Sequence, residues 1–409
     1  MLNSGNYTAP EDLKRWRSLA LGIGGIVSLV VLGVAVIMPD LREQALRSWL
    51  LGFMFWAGLG LGSLGILMLQ YLTGGAWGVV IRRILEAATR TLPIIVILFI
   101  PLAVGVATHS VYEWTHLPKT EHIMAWRGWY MTDWGWLLRT AVYFVLFGVM
   151  VWYLNGLSRK QDAAATAEES AGHLESASRF SGPAIIFYVL TLTFATVDWT
   201  MTLDPHWFST IWGLLWVASW GLSTFSFVVL LLSYLQGRSP MDRVIGKRHF
   251  HDIGKLMLAF VMVWAYFNFS QFLIIWSGNI PEETGWYITR MRSAWAWVGG
   301  GLIFLHFAFP FLVLLNQDFK RKGKKLAMIA VFILLMRFLD LIFIIAPTPR
   351  INPMGMEQGA FYLSFLDLLA PIGIGGIWLW WFFGELAKRP LVPANDPFFP
   401  NAVEHGRGH

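Results

Sequence analysis

The segment LAMIAVFILLMRFLDLIFIIA, residues 326–346, contains only two charged residues, Arg337 and Asp340. An apolar run of about 20 residues is long enough to cross the hydrocarbon core of a bilayer as an α-helix. The run shows no alternation of polar and apolar residues, and an open strand in lipid would leave its backbone groups without partners. It therefore predicts a transmembrane helix.

Further runs of the same kind occur along the whole chain of 409 residues. Hydrophobic residues make up 56% of the sequence and charged residues 14%, whereas a soluble domain carries about 25% charged residues. A soluble fold of this length has too little core to bury so much apolar surface. The sequence therefore predicts an all-α integral membrane protein with ten transmembrane helices, at residues 18–38, 48–72, 88–110, 134–154, 182–201, 208–235, 253–276, 293–315, 326–346 and 360–383.

Basic residues are distributed unevenly between the two sides of these spans. The loops and tails on the side of the termini hold 22 Lys and Arg residues, and the opposite loops hold 7. Because cytoplasmic loops carry the excess of basic residues, both termini are predicted to be cytoplasmic. The predicted organisation is an N-terminal tail (1–17), spans one to four (18–154), a cytoplasmic linker (155–180), spans five to ten (181–383) and a Pro-rich cytoplasmic C-terminal tail (384–409).

Two of these connecting segments have a distinctive composition. The linker is rich in Ala, Glu and Ser around residues 161–177, which predicts a polar and mobile segment. The C-terminal tail contains four Pro between residues 389 and 400, a pattern that excludes a regular helix there. It predicts either an extended arm lying on a neighbouring subunit or a disordered segment.

Ionisable residues inside apolar spans are costly, so they are candidates for function. Counted along the spans, three of them fall near the middle of the membrane: His306, Arg337 and Asp340. Four fall in the outer half, where polar residues of span seven join them: His109, Arg139, Asp198 and Asp367, with Asn268 and Gln271. This asymmetry indicates chemistry, or a proton exit, near the outer face.

Some of these residues also have a structural interpretation. Arg337 and Asp340 lie three residues apart on one helix face, so they form either a buried ion pair that joins helices or part of a proton path. Beyond span five, Asp204 and His206 extend the line from Asp198 as a proton exit. Asp204 before Pro205 also has the pattern of an N-cap that begins span six.

The sequence contains no cysteine, which excludes disulfides, thiolate-held iron–sulfur clusters, thioether-linked haem and Cys-type zinc sites. A haem b would need paired His ligands at matching depth on facing helices. His109 and His306 are the His residues within spans, and their depths differ. The sequence therefore predicts no metal site and no redox cofactor bound by this chain.

Two segments are more distinctive than the rest. They are DWTMTLDPHWFSTIWG, residues 198–213, and NFSQFLIIWSGNIPEE, residues 268–283, the latter followed by WYITR at 286–290. With the plan of ten spans, they resemble the ActF-type membrane subunit of bacterial alternative complex III, within the NrfD/polysulfide-reductase-like superfamily. The resemblance extends over nearly the whole chain. It implies two four-helix bundles, formed by spans two to five and six to nine, with spans one and ten peripheral.

The resemblance implies a role in quinol or menaquinol:electron-acceptor oxidoreduction in the inner membrane of a bacterium, in a respiratory or photosynthetic chain. Electrons would pass to iron–sulfur and haem c subunits, and a related membrane subunit would share the assembly. The chain would contribute a quinol-associated or proton-conducting pathway without a redox centre of its own.

Two other functions compete with this one. A secondary transporter would have broken spans at matched positions of its two halves. Pro93 and Pro101 interrupt span three and Pro310 interrupts span eight, positions that do not correspond. A structural scaffold for assembly would have every intramembrane charge paired.

Overall fold

The computed structural model describes residues 7–351, 357 and 359–407, and 81% of the chain is helical, with no strand in that part. Within it, nine helices are long and apolar enough to cross a membrane. The helices Ala76–Thr89 and Leu92–Ala107, bent by 41°, pass the same test together. The protein is therefore an all-α protein with the helices of a multi-pass membrane protein.

The helices are α1 (Asp12–Ile37), α2 (Pro39–Thr73), α3 (Ala76–Thr89), α4 (Leu92–Ala107), α5 (His122–Arg127), α6 (Asp133–Ala163), α7 (Ala167–Trp199), α8 (Trp212–Gln236), α9 (Lys247–Gly278), α10 (Pro281–Met291), α11 (Trp295–Leu302), α12 (Phe309–Leu315), α13 (Gln317–Arg321), α14 (Gly323–Ile345), α15 (Leu366–Ala387) and α16 (Phe399–Arg407). Short turns connect α1 to α2 and α6 to α7, and longer segments precede α6, α8 and α15. Span eight is a composite, because a π-helical turn at Ile303–Ala308 joins its two α-helical parts.

The centre of the molecule is formed by α2 and α8, which pack against each other. Trp212, Trp216 and Trp220 repeat every four residues along α8, and all three are buried. Their rings touch in sequence, with centroids 6.1 Å and 5.8 Å apart. Around this pair, α2 contacts α4 and α7, and α8 contacts α9 and α14. The tryptophan face of α8 thus lies at the centre of the helix packing.

The first and last long helices, α1 and α15, pack along each other and against α2. Their backbones approach so closely that a Cβ added at Gly24 would lie 2.6 Å from the backbone nitrogen of Ile377. Small residues permit such an approach between membrane helices, where dispersion contacts replace the hydrophobic effect as the driving force. Gly24 and Gly376 therefore set the distance between α1 and α15.

Residues 161–177 of the linker (155–180), predicted to be polar and mobile, are mostly helical. Helix α6 continues to Ala163 and α7 begins at Ala167, so three residues connect them. Thr166 is the N-cap of α7, accepting from the backbone N of Glu169 at 3.1 Å, and the Glu169 carboxylate accepts from the backbone N of Ala165. This reciprocal cap starts a helix in a polar sequence.

The C-terminal tail also departs from the prediction of an extended arm or disorder. It follows an irregular path from Lys388 to Phe398 and ends in α16, which packs against α3 and α9 of the same chain. The Leu391 backbone N donates to the carbonyl of Tyr7 at 2.7 Å, so the two described chain ends lie together. We call this side of the molecule the tail end.

Candidate functional site

One group of buried polar side chains lies inside the packing of α8, α9, α14 and the π-helical turn. Arg337 and Asp340, three residues apart on α14, form an ion pair and are 1% and 3% exposed. The Trp264 indole N donates to Asp340 Oδ2 at 3.2 Å, and the Arg337 guanidinium lies 5.2 Å from the centroid of the Trp216 ring. Together with His306, we call these five residues the mid-bundle cluster.

His306 completes the cluster from the π-helical turn. Its ring is fully buried and perpendicular to the Trp264 ring, with centroids 4.1 Å apart. Neither ring nitrogen has a hydrogen-bond partner within the described chain, and the same holds for Arg337 Nε and Nη2. Leaving a buried polar group unsatisfied costs about 1–3 kcal/mol, so each such group requires a reason. π-Helical turns often occur at functional sites.

The cluster unites the three residues predicted at mid-depth, His306, Arg337 and Asp340. The sequence indicated the pairing of Arg337 and Asp340 on one helix face, but not that His306, on another span, would join them. Trp216 and Trp264 were missed: the Trp264 N–H donates to Asp340, whereas Trp216 faces Arg337 with its ring. Together the five side chains bring donors and acceptors to one buried place.

The Asp198 carboxylate is the centre of a second, more closed arrangement. Arg139 on α6 donates to both of its oxygens, at 2.9 Å from Nε and 2.9 Å from Nη2. The Tyr143 hydroxyl donates to Oδ2 at 2.7 Å. Arg139 also lies over the Tyr130 ring, 3.7 Å from its centroid. Because each carboxylate oxygen already accepts a hydrogen bond, this arrangement has the form of a structural ion pair that joins α6 to α7.

The other predicted outer-half residues lie in separate places. Asp367 Oδ1 accepts from Gln44 and Ser48 on α2, at 2.9 Å and 2.6 Å. The Gln271 amide donates to the Tyr287 hydroxyl at 3.1 Å, and Asn268 donates to the Trp264 carbonyl at 2.9 Å. The asymmetry noticed in the sequence thus corresponds to separate local contacts, between helices for Asp367 and Gln271 and within α9 for Asn268.

The chain after Asp198 does not begin span six where the sequence predicted. Asp204 accepts from the backbone N of His206 at 3.2 Å, which is an Asx turn, and α8 begins only at Trp212. The expected N-cap role of Asp204 is therefore wrong. The reason is Trp207, which packs against Trp212 and Trp286 and donates to the Glu283 carbonyl at 3.1 Å, so the preceding chain stays irregular.

On the face of the molecule where α4 and α7 end, a carboxylate that the sequence did not single out lies near Asp204. Glu113, in the loop after α4, has a buried oxygen without a partner in the described part of the chain. Burial raises its pKa, and the negative charge of Asp204 raises it further. Burial also raises the pKa of Asp204. On this face, His109 instead contacts Asp133, with 2.8 Å between Nε2 and Oδ2, where both residues are accessible to solvent.

We expect Glu113→Gln to raise the melting temperature at pH 7 by a few degrees at most and to have no effect near pH 4.5. The raised pKa means that folded Glu113 holds its proton at a higher pH than the unfolded chain does. Stability is therefore lost as the pH rises from 4.5 through the raised pKa, and the Gln variant avoids that loss. Thermal unfolding across this range tests it, with Glu121→Gln in the same loop as the control. A difference that grows toward low pH would contradict the expectation.

At the tail end, a network of ion pairs surrounds Glu86 of α3. Its Oε2 lies 2.8 Å from Arg83 Nη1 and 3.0 Å from Arg389 Nη1, and its Oε1 accepts from the Ser158 hydroxyl at 2.7 Å. Arg82 pairs with Asp396 of the tail, and both side chains are buried. The sequence showed these arginines only as part of the basic excess. The network attaches the C-terminal tail to α3 and α6.

Comparison with models of known protein families and with functionally curated proteins finds no match to this chain. Within residues 7–351, 357 and 359–407, no three His, Asp or Glu side chains form a group that could hold a metal ion.

Proposed function

We propose that this chain is a membrane subunit of a quinol-oxidising electron-transfer complex of the alternative complex III type, and that it conducts protons without a redox centre of its own. The observation that carries the proposal is the mid-bundle cluster, in which a titratable His with two unpartnered nitrogens lies next to a buried ion pair. The distinctive segments at 198–213 and 268–283 and the lack of cysteine support the assignment to such a complex.

The proposed architecture has ten spans, with α3 and α4 forming one bent span. Spans two to five and six to nine form two four-helix bundles, and α1 and α15 are peripheral. The packing of α6 on α7 and of α9 on α8 supports this division, with α2 and α8 in contact between the bundles. Both termini would be cytoplasmic, in a bacterial inner membrane. Iron–sulfur and haem c subunits and a related membrane subunit would be the partners.

The mid-bundle cluster fits a proton path better than a quinol pocket. A quinol headgroup requires a slot open to lipid, whereas His306, Arg337 and Asp340 are each at most 3% exposed. The two His306 nitrogens can accept a proton on one side and donate one on the other. Arg337 and Asp340 provide fixed opposite charges beside the ring, and Trp264 orients the Asp340 carboxylate. Quinol would then bind at another place in the assembly, coupled to this chain through protons.

The scaffold alternative is favoured at Asp198, where Arg139 and Tyr143 satisfy the carboxylate. It does not account for the unpartnered nitrogens of His306. Two features favour the transporter alternative. They are the bend between α3 and α4 and the π-helical turn of span eight, each of which interrupts the regular helix of its span. In the two proposed bundles, span three holds the second place and span eight the third, so these interruptions do not occupy matched positions of the bundles.

The experiment is His306→Phe in the intact complex, which is first purified through this chain and checked for haem c and iron–sulfur partners. Phe keeps the ring packing against Trp264 and removes both nitrogens, so assembly and thermal stability should be preserved. We expect quinol turnover and proton release to fall by about 10²-fold, the low end of the effect of losing a proton-transferring group. The measurements are quinol oxidation rate and proton yield per electron.

His173→Phe, at an incompletely buried position near the start of α7, is the matched control and should keep full turnover. Normal turnover in a well-assembled His306→Phe complex would refute the proton path and leave the scaffold. A chain that purifies alone and supports solute uptake would refute the complex itself.

A further inference from the structure

The lipid-facing side of α6 carries two adjoining surface cavities at the tail end. The first has a volume of about 190 Å³ and is lined by Arg90, Val151, Trp152, Asn155, Arg159 and Arg389. The second, of about 440 Å³, shares Trp152 and Arg159 and adds Lys160. The two cavities therefore lie on either side of one tryptophan and one arginine.

The charge of this surface is one-sided. No Asp or Glu lines either cavity, whereas three arginines line the first. Arg159 and Lys160 are exposed, and neither forms an ion pair or hydrogen bond with any part of the chain that the structure describes. Arg90 contacts Glu385, and Arg389 contacts Glu86 and Asp162, so Arg159 is the arginine of the first cavity that carries no acidic partner within the described chain. The side chains of Arg159 and Lys160 can therefore bind an anionic ligand.

An apolar stripe leads from this basic surface toward the middle of the bilayer. Val145, Val149, Trp152, Gly156 and Arg159 follow one another at spacings of three and four residues, so they lie on one face of α6. The exposed fractions of Val145, Val149 and Trp152 are 64%, 52% and 69%. A Cβ at Gly156 would meet nothing within 4 Å, so the stripe is open between Trp152 and Arg159.

We propose that this surface binds an anionic phospholipid of the leaflet at the tail end. The phosphate lies at Arg159, between the arginines of the first cavity and Lys160 of the second, and an acyl chain follows the stripe from Trp152 to Val145. Arginine forms paired hydrogen bonds to phosphate oxygens, and basic pockets between membrane helices are known to bind acidic headgroups. Because Arg389 belongs to the C-terminal tail, the site is complete only when the tail is docked.

The test uses the purified full-length protein, and separately its native assembly, delipidated in detergent and titrated with phosphatidylglycerol or phosphatidylcholine of identical acyl chains. Native mass spectrometry measures bound lipid. We expect phosphatidylglycerol to be retained in preference to phosphatidylcholine. Arg159→Gln should weaken phosphatidylglycerol binding about fivefold, the effect of one basic residue near a membrane surface, and leave phosphatidylcholine binding unchanged.

The matched control is Arg15→Gln, because Arg15 is an exposed arginine near the start of α1 at the same end of the molecule. It should bind phosphatidylglycerol like the parent protein. An equal loss in both variants, or no loss in Arg159→Gln, would overturn the proposal. So would displacement of the lipid by millimolar inorganic phosphate, which would indicate a site for free phosphate. If the isolated protein binds the lipid but the native assembly does not, the surface is covered by a protein partner, and this result would also overturn the proposal.

Discussion

Glu86→Gln is expected to destabilise the tail end of the molecule by about 3–5 kcal/mol, the usual cost of removing one partner from a buried ion pair. Glu86 is fully buried and contacts Arg83 and Arg389 directly, with Arg90 3.9 Å away. The neutral amide removes the carboxylate at the centre of the three arginines, which leaves Asp162 as the partner of Arg83 and Arg389 and Glu385 as that of Arg90. We expect the C-terminal tail to detach locally at Arg389, while the Arg82–Asp396 pair still holds the tail further along the chain.

Limited trypsin digestion measures this effect, since detachment exposes the peptide bond after Lys388. In the parent protein Lys388 pairs with Glu385 and Arg389 lies against α6, so cleavage there should be slow. The matched control is Glu175→Gln, which removes an exposed ion pair with Arg179 and should change stability by at most about 1 kcal/mol. Equal cleavage rates in the two variants would show that Glu86 does not hold the tail.

The second large effect is expected at the ion pair in the mid-bundle cluster. Arg337→Met and Asp340→Leu should each lower the free energy of unfolding by about 3–5 kcal/mol, because each leaves one buried charge without its partner. The double variant should recover most of that loss, since a buried ion pair and apolar residues of similar volume are often of equal stability. The coupling energy is obtained from denaturation of the four proteins in detergent.

The double variant also separates structure from function. If the pair only joins helices, the recovered double variant assembles and oxidises quinol normally. If the pair provides the charges for proton transfer at His306, the double variant assembles but its turnover falls as in His306→Phe. Additive losses of stability in the double variant would show that Arg337 and Asp340 do not act as a pair.

The helices themselves were predictable from sequence, and the contacts between their charged residues were not. Apolar length and the absence of alternation located Arg337 and Asp340 in one helix, and their spacing of three residues allowed the pair that the structure shows. Asp198 and Arg139 lie 59 residues apart, on different helices, and nothing in either span indicated that they would meet. The sequence assigned both residues to the outer half of the membrane, with Asp198 on a proton exit.

Polar segments were predicted less well than apolar ones. The linker consists of the end of α6 and the beginning of α7. Helix α7 starts there because the side chains of Thr166 and Glu169 cap its first turn, and this capping pattern was present in the sequence. Span six begins later than Asp204 because Trp207 packs with Trp212 and Trp286. Trp286 lies 79 residues after Trp207 in the sequence. The local cap could therefore be predicted from the sequence, whereas the packing of distant tryptophans could not.

Residues 326–346 by themselves determined that a helix forms and that two charges lie deep within it, since lipid requires every backbone group to be bonded inside the segment. They did not determine which way those charges face. A span that is apolar on nearly all sides has no strong preference for the side it buries, so its rotation is set by packing against its neighbours. The tertiary structure alone placed Trp264, Trp216 and His306 around Arg337 and Asp340.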